Sequence, residues 1–123
     1  MLAIRSLLVF LIMAVTVIPI GSILVVSSFI APYRVTYFWI GRPWLQLAMA
    51  ATRYVGGVRT KVSGYQNLLD AADGNRVIVC SKHQSTLETF LYPSIMTNPV
   101  AYVYKKELRW VPFFGWSIGR LQM

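Results

Sequence analysis

The chain has 123 residues, so it forms at most one domain. It is 56% hydrophobic, its mean hydropathy is +0.55, and 12 Lys and Arg against 4 Asp and Glu give a net charge of +8. This composition is too apolar for an ordinary soluble domain and predicts contact with an anionic membrane surface or phosphate-bearing ligands. We expect no nucleic acid partner, because no zinc-finger spacing and no aromatic ribonucleoprotein motif occur.

Residues 1–33 are predicted to form a membrane anchor. No charged residue occurs from Ser6 to Tyr33. As one helix this run would be about 42 Å long, enough to cross roughly 30 Å of hydrocarbon. Pro19 and Gly21 interrupt it, so a hairpin that dips into one leaflet is the alternative to a single span.

The basic residues predict the orientation of this anchor. In a single span, Arg5 lies on one side of the membrane and the later basic residues lie on the other. Those later residues are Arg34, Arg42, Arg53, Arg59 and Lys61. The positive-inside rule then places the rest of the chain in the cytoplasm, and a hairpin places both ends there.

Residues 34–57 combine aromatic and basic side chains and are predicted to form an interfacial helical segment that ends at Gly56-Gly57. The aromatic residues that indicate this are Tyr33, Tyr37, Phe38, Trp39 and Trp44. The alternative is a helix that packs on the domain with its aromatic rings in the core.

Residues 58–123 are predicted to form an incomplete α/β domain. Residues 58–63 alternate with a period of two, and the apolar runs at 76–80 and 100–104 are typical of strands. Helices are expected over 65–73, over 85–96 with a break or kink at Pro93, and from Lys105 until Pro112 stops the helix. Cys80 ends the second apolar run and is expected to be a buried strand thiol, with no disulfide partner. Three strands make a thin core, so we expect a truncated sequence.

The stretch SKHQSTLETF contains the single histidine, His83, and one of the four acidic residues, Glu88. On one regular helix these side chains would lie about 140° apart, so they meet only if His83 precedes the helix and Glu88 lies in its first turn. Glu88 also fits a capping box with Ser85 as the N-cap. The two roles are compatible. A neutral His83, oriented by Glu88, is suited to taking the proton of a substrate hydroxyl.

The stretch GWSIG has the form of a nucleophile elbow with Ser117 at its centre. That motif requires a preceding strand and a later histidine, which this sequence lacks. We expect a loop with tight turns at the glycines instead.

Two sequence blocks resemble one known family. KHQSTLETF is similar to the first motif of the glycerolipid acyltransferases, and YKKELRWVPFFGW is similar to the second block of their bacterial 1-acyl-glycerol-3-phosphate branch. The resemblance covers about Val58 to Met123, and the N-terminal anchor matches in character. It implies transfer of a fatty acyl group from acyl-CoA or acyl carrier protein to lysophosphatidic acid, at the cytoplasmic face of the bacterial inner membrane, with no metal and no cofactor.

The resemblance also implies roles for individual residues. His83 would be the general base and Glu88 its partner. Lys105 would hold the acyl donor or the developing oxyanion. The other residues expected to bind substrate are Lys106, Arg109, Phe113, Phe114 and Gly115.

Two departures from the family pattern affect these expectations. Glu88 stands where the family usually has aspartate, and the family's later I-D-R and F-P-E-G-T-R blocks are absent. We therefore expect very weak activity or none from the 123 residues alone. The alternatives are an acyltransferase for another lysolipid or a lipid A precursor, and a basic membrane-anchored protein without catalysis.

Overall fold

The computed structural model describes residues 2–73, 75–82 and 84–121. This part of the chain is helical. The α-helices are α1 (Leu2–Ser27), α2 (Tyr33–Thr36), α3 (Arg42–Tyr54), α4 (Tyr65–Ala72), α5 (Leu87–Ile95) and α6 (Phe114–Arg120). A π-helical turn, Tyr37–Gly41, joins α2 to α3, and a 3-10 helix, Lys106–Trp110, precedes α6.

Helix α1 is continuous through Pro19 and is the one described helix that is long and apolar enough to cross a membrane. Its 26 residues give a length of about 39 Å. Proline removes one backbone donor but is tolerated in apolar helices where neighbouring groups compensate. A break at Pro19, which the hairpin alternative required, is therefore not observed.

Helix α3 runs antiparallel to α1 along most of its length. Gly41 lies against Leu24, and the indole Nε1–H of Trp44 donates to the Thr16 hydroxyl at 3.0 Å. Beyond the end of α3, a Cβ at Gly57 would lie 3.0 Å from a terminal nitrogen of Arg5. Arg5 and the chain just after α3 therefore lie at the same end of α1. A single span with Arg5 on one side and Arg53 and Arg59 on the other does not describe this arrangement.

Pro43 accounts for the π-helical turn that precedes α3. A proline within a helix cannot donate to the carbonyl four residues earlier, and its ring crowds that carbonyl, here the one of Trp39. In the wider turn, the Arg42 N–H donates to the carbonyl of Tyr37, five residues back. The turn directs Tyr37, which is fully buried, into the centre of the molecule.

The core lies where α1, the π-helical turn and α6 meet. Leu24, Tyr37 and Leu121 are its buried members, and Phe38 and Ile40 pack against them. Gly21 permits the close approach of α6, because a Cβ there would lie 3.2 Å from the Phe113 Cβ. Helix α1 thus supplies one wall of the core as well as an exposed apolar face.

The prediction of an α/β fold is wrong: no strand or sheet occurs in the described residues. Residues 58–63, 76–80 and 100–104 are without regular structure, and Ile78 is 91% exposed. A strand persists only where a neighbouring strand pairs with its N–H and C=O groups, and an apolar pattern alone does not provide that neighbour. For the same reason Cys80 is exposed, and its expected burial is also wrong.

The predicted helices are confirmed more closely than the strands. Helix α4 ends before Asp73, α5 contains Pro93, and the 3-10 helix stops before Pro112. Residues 34–57 are largely helical, and the predicted place of their aromatic rings at a membrane interface stays a prediction. Tyr37 and Trp44 face the interior, whereas Trp39 is 79% exposed.

Candidate functional site

Glu88 lies in the first turn of α5 and holds the loop before the helix. Its carboxylate oxygens accept the backbone N–H of Gln84 at 3.1 and 3.3 Å. The N-cap residue is Thr86 and its side chain makes no capping bond, so the predicted capping box with Ser85 as the N-cap is wrong. A carboxylate in a first helical turn is stabilised by the helix dipole.

His83 lies outside the described residues. The predicted contact between His83 and Glu88 therefore stays a prediction. The Glu88 carboxylate is nevertheless bound to the backbone of residue 84, the next residue along the chain.

An apolar cavity of about 110 Å³ adjoins the start of α5. Helices α1, α3, α5 and α6 and residues 102–108 enclose it. Its walls include Ile20, Trp44, Phe90, Tyr102 and Phe114. The Trp44 ring contacts both Phe90 and Phe114, with ring centres 6.0 and 6.2 Å apart. Thr89, which follows Glu88 in α5, also lines the cavity, whereas Glu88 is not one of its lining residues.

One buried tyrosine, Tyr37, and one partly buried tyrosine, Tyr102, fix the segment after α5. The Tyr37 hydroxyl accepts the N–H of Val100 at 3.3 Å and donates to the carbonyl of Pro93 at 3.5 Å, and the Tyr102 hydroxyl donates to the carbonyl of Thr89 at 3.2 Å. Burial raises the pKa of Tyr37 and, more strongly, the pKa of Tyr102. Both hydroxyls are therefore neutral donors at physiological pH, and Tyr102 holds one cavity wall against α5.

The predicted basic residues of the second block lie on the surface. Lys105 precedes the 3-10 helix and Lys106 begins it, and both are exposed. Arg109 is also exposed, and its Nε–H donates to the Tyr104 hydroxyl at 3.4 Å. Their predicted roles in substrate binding stay predictions.

The predicted apolar residues of the second block form a tight turn. Phe113 has φ 62° and ψ −54°, and the Phe114 N–H donates to the Pro112 carbonyl at 2.6 Å. This is a γ-turn of the rare positive-φ form, which is strained for a residue other than glycine. The turn sets Phe113 against Gly21 of α1 and places Phe114 in the cavity wall. Gly115 lies directly against the carbonyl groups of Leu108 and Arg109.

Ser117 is a structural residue of α6. It is buried, and its hydroxyl donates to the carbonyl of Phe113 one turn earlier. The expectation that it is not a nucleophile agrees with this position, since no strand precedes it as an elbow requires. The expected loop is wrong, because both glycines of GWSIG lie within the helix.

Comparison with known proteins identifies a relative along nearly the whole chain. The chain is 34% identical over 120 residues, 98% of its length, to a 1-acyl-sn-glycerol-3-phosphate acyltransferase of Pseudomonas aeruginosa. The predicted resemblance to this kind of acyltransferase is confirmed. The match covers 45% of that relative, so the chain spans about half the length of the curated protein that it matches. No family model matches the chain, and no solved structure matches it.

Several residues that line the apolar cavity were not predicted as site residues from the sequence. Phe90 and Tyr102 were assigned to a helix and a strand without a role in the site, and Trp44 was assigned to the membrane interface. The signal that could have identified Trp44 is its position after Pro43 in a helix with small residues on one face. No local signal identifies Tyr102, because its place in the wall depends on a contact with α5.

Proposed function

We propose that the protein containing this chain transfers a fatty acyl group to the free hydroxyl of lysophosphatidic acid, which gives phosphatidic acid. The observation that carries the proposal is the similarity to a 1-acyl-sn-glycerol-3-phosphate acyltransferase, which aligns over 120 of the 123 residues. An alignment of that extent includes both sequence blocks. The apolar cavity lined in part by α5, the helix that carries Glu88, supports the same function, since an acyl substrate needs an apolar site near the reacting groups.

The proposed chemistry uses His83 as the base. One ring nitrogen takes the proton of the acceptor hydroxyl while its oxygen attacks the thioester carbonyl of acyl-CoA or acyl carrier protein. The carbon–sulfur bond then breaks, and the thiolate leaving group takes the proton back from the imidazolium. Glu88 would accept the N–H of the other ring nitrogen, which fixes the tautomer and stabilises the transient positive charge.

The cavity would accept part of the acyl chain. At about 110 Å³ it is smaller than the roughly 300–1,000 Å³ of a typical ligand pocket. The remaining length of a long acyl chain would lie along the exposed apolar face of α1 or in the lipid. Lys105, exposed beside this region, would interact with the donor's phosphates or with the oxyanion.

Membrane attachment is proposed to occur through the exposed face of α1. Its apolar side chains Ile4, Phe10, Val15, Ile18 and Ile23 are each at least half exposed, while the opposite face is covered by α3 and α6. This one-sided cover favours a helix in contact with lipid along one face. We propose the cytoplasmic side of the bacterial inner membrane, where the donors acyl-CoA and acyl carrier protein are made.

The test is acyl transfer by membranes that carry the protein containing this chain. Phosphatidic acid should form from acyl-CoA and lysophosphatidic acid. His83→Ala should lower the rate by at least about 100-fold, with membrane attachment unchanged. Glu88→Gln should lower the rate as well. The matched control is Asp70→Asn, which changes an exposed acid of α4 that accepts the side-chain N–H of Gln66. Full activity of the His83 variant would refute the base assignment. A preference for another lysolipid would reassign the acceptor.

A further inference from the structure

A shallow groove at the C-terminal end of α1 includes Arg109 and Gly115, two residues expected to bind substrate, but the proposed acyl-transfer step assigns it no role. It is open to solvent, with a volume of about 530 Å³. Its lining consists of Val25, Arg109, Gly115, Trp116, Gly119 and Arg120. The lining contains two arginines and no acidic residue, and it shares no residue with the apolar cavity.

The two arginines come from different elements and line the same groove as Gly119. The Nε of Arg109 lies 4.0 Å from the position that a Cβ would occupy at Gly119. The bond from Arg109 to Tyr104 uses one of the five guanidinium donors and holds the side chain in place. Since Gly119 has no side chain, the groove beside the Arg109 Nε is open to a ligand.

Arg120 is also held at the end of the apolar helix. Its guanidinium carbon lies 3.9 Å from the centre of the Phe29 ring, a cation–π contact. Phe29 follows α1 directly and is exposed, and Trp116 on the groove wall is half exposed. Exposed aromatic rings beside basic residues at the end of an apolar helix are typical of the headgroup layer of a membrane.

We propose that this groove binds the phosphate of an anionic membrane lipid headgroup, with Arg109 and Arg120 as its ligands. Each planar guanidinium group provides parallel N–H donors, which match the oxygen atoms of a phosphate. The lipid source is favoured over a soluble phosphate ester because α1 would deliver the groove to the headgroup layer. The proposal rests on the proposed contact of α1 with lipid, and it is independent of acyl transfer.

The test measures lipid binding rather than membrane insertion, since α1 would insert into any bilayer. The full chain in neutral detergent micelles is titrated with phosphatidylglycerol or phosphatidylcholine, and bound lipid is counted by native mass spectrometry. The chain should retain phosphatidylglycerol in preference to phosphatidylcholine. The double variant R109Q/R120Q should lose roughly 30-fold in that affinity, about fivefold for each arginine, with phosphatidylcholine binding unchanged.

Two further variants separate the groove from general charge. Arg59→Gln removes one charge near the opposite end of α1 and should leave phosphatidylglycerol binding unchanged. Gly119→Leu keeps both arginines but places a side chain in the groove beside the Arg109 Nε, and should weaken binding. A double variant that binds as the wild type does, or an Arg59→Gln variant that is equally impaired, overturns the proposal. If Gly119→Leu loses its helical circular dichroism, the comparison of R109Q/R120Q with Arg59→Gln decides the outcome. Displacement of the lipid by excess glycerol 3-phosphate would overturn the lipid source.

Discussion

Gly115 and Gly119 lie in the same helix, yet the structure predicts opposite effects for the same substitution at each. By helix propensity alone, Gly→Ala should stabilise α6 by up to about 1 kcal/mol at either position. Among the described residues, a Cβ at Gly119 meets the Arg109 Nε alone, at 4.0 Å, so Gly119→Ala should show that gain. A Cβ at Gly115 would lie 2.7 Å from the Arg109 carbonyl oxygen and closer still to that of Leu108.

Backbone atoms cannot move aside as a flexible side chain can, so Gly115→Ala must shift the 3-10 helix against α6. Overpacking of this kind costs about 1–3 kcal/mol or more, which exceeds the gain in propensity. The measurement is thermal unfolding in detergent micelles, followed by helical circular dichroism. The melting temperature changes by about 4–8 °C per kcal/mol for a domain of this size. Gly115→Ala should melt below the wild type and Gly119→Ala at or above it. Equal melting temperatures for the two variants would refute the close approach of Leu108 to α6.

Two other predictions concern the cavity walls. Trp44→Phe removes the hydrogen bond to Thr16 and should lower the free energy of unfolding by about 1 kcal/mol or more. Trp39→Phe, on the exposed face, should have almost no effect on it. Urea unfolding measures both, and equal losses would contradict the inward position of Trp44. Burial raises the pKa of Tyr37 and Tyr102, so the folded chain keeps protons that the unfolded chain releases above about pH 10. The unfolding free energy should therefore be unaffected by these groups below that pH and decrease as the pH rises further. Tyr102→Phe should reduce this decrease, and an unchanged pH dependence would show that Tyr102 does not contribute to it.

Local sequence signals predicted the helices because the causes of helix formation and termination are local. Apolar residues without charge predicted α1, and the position of Pro112 predicted the end of the 3-10 helix. The strands were predicted from signals of the same kind, but a strand needs a distant partner. The run that ends at Cys80 has the composition of a buried strand, yet none of the described residues pairs with it.

The candidate site was predictable only in part for the same reason. The position of Glu88 in the first helical turn predicts that its carboxylate accepts a backbone N–H just before the helix. The donor expected from a capping box is the Ser85 N–H, whereas the observed donor is the Gln84 N–H. The cavity joins residues as distant as Ile20 and Tyr102. Spacing along the chain carries no information about that contact. The strained γ-turn at Phe113 also has no local signal, since phenylalanine is not a residue that favours positive φ.

The N-terminal helix has a consequence for any attempt to release the protein from lipid. Deleting residues 2–27 would remove Leu24 from the core, Thr16 from its bond to Trp44 and the glycine that admits Phe113. Solubilisation by truncation should therefore yield a misfolded remainder rather than a water-soluble enzyme. Exchanging outward-facing side chains such as Phe10 and Ile18 for polar ones would spare those inward contacts, which makes surface redesign the better route to a detergent-free preparation.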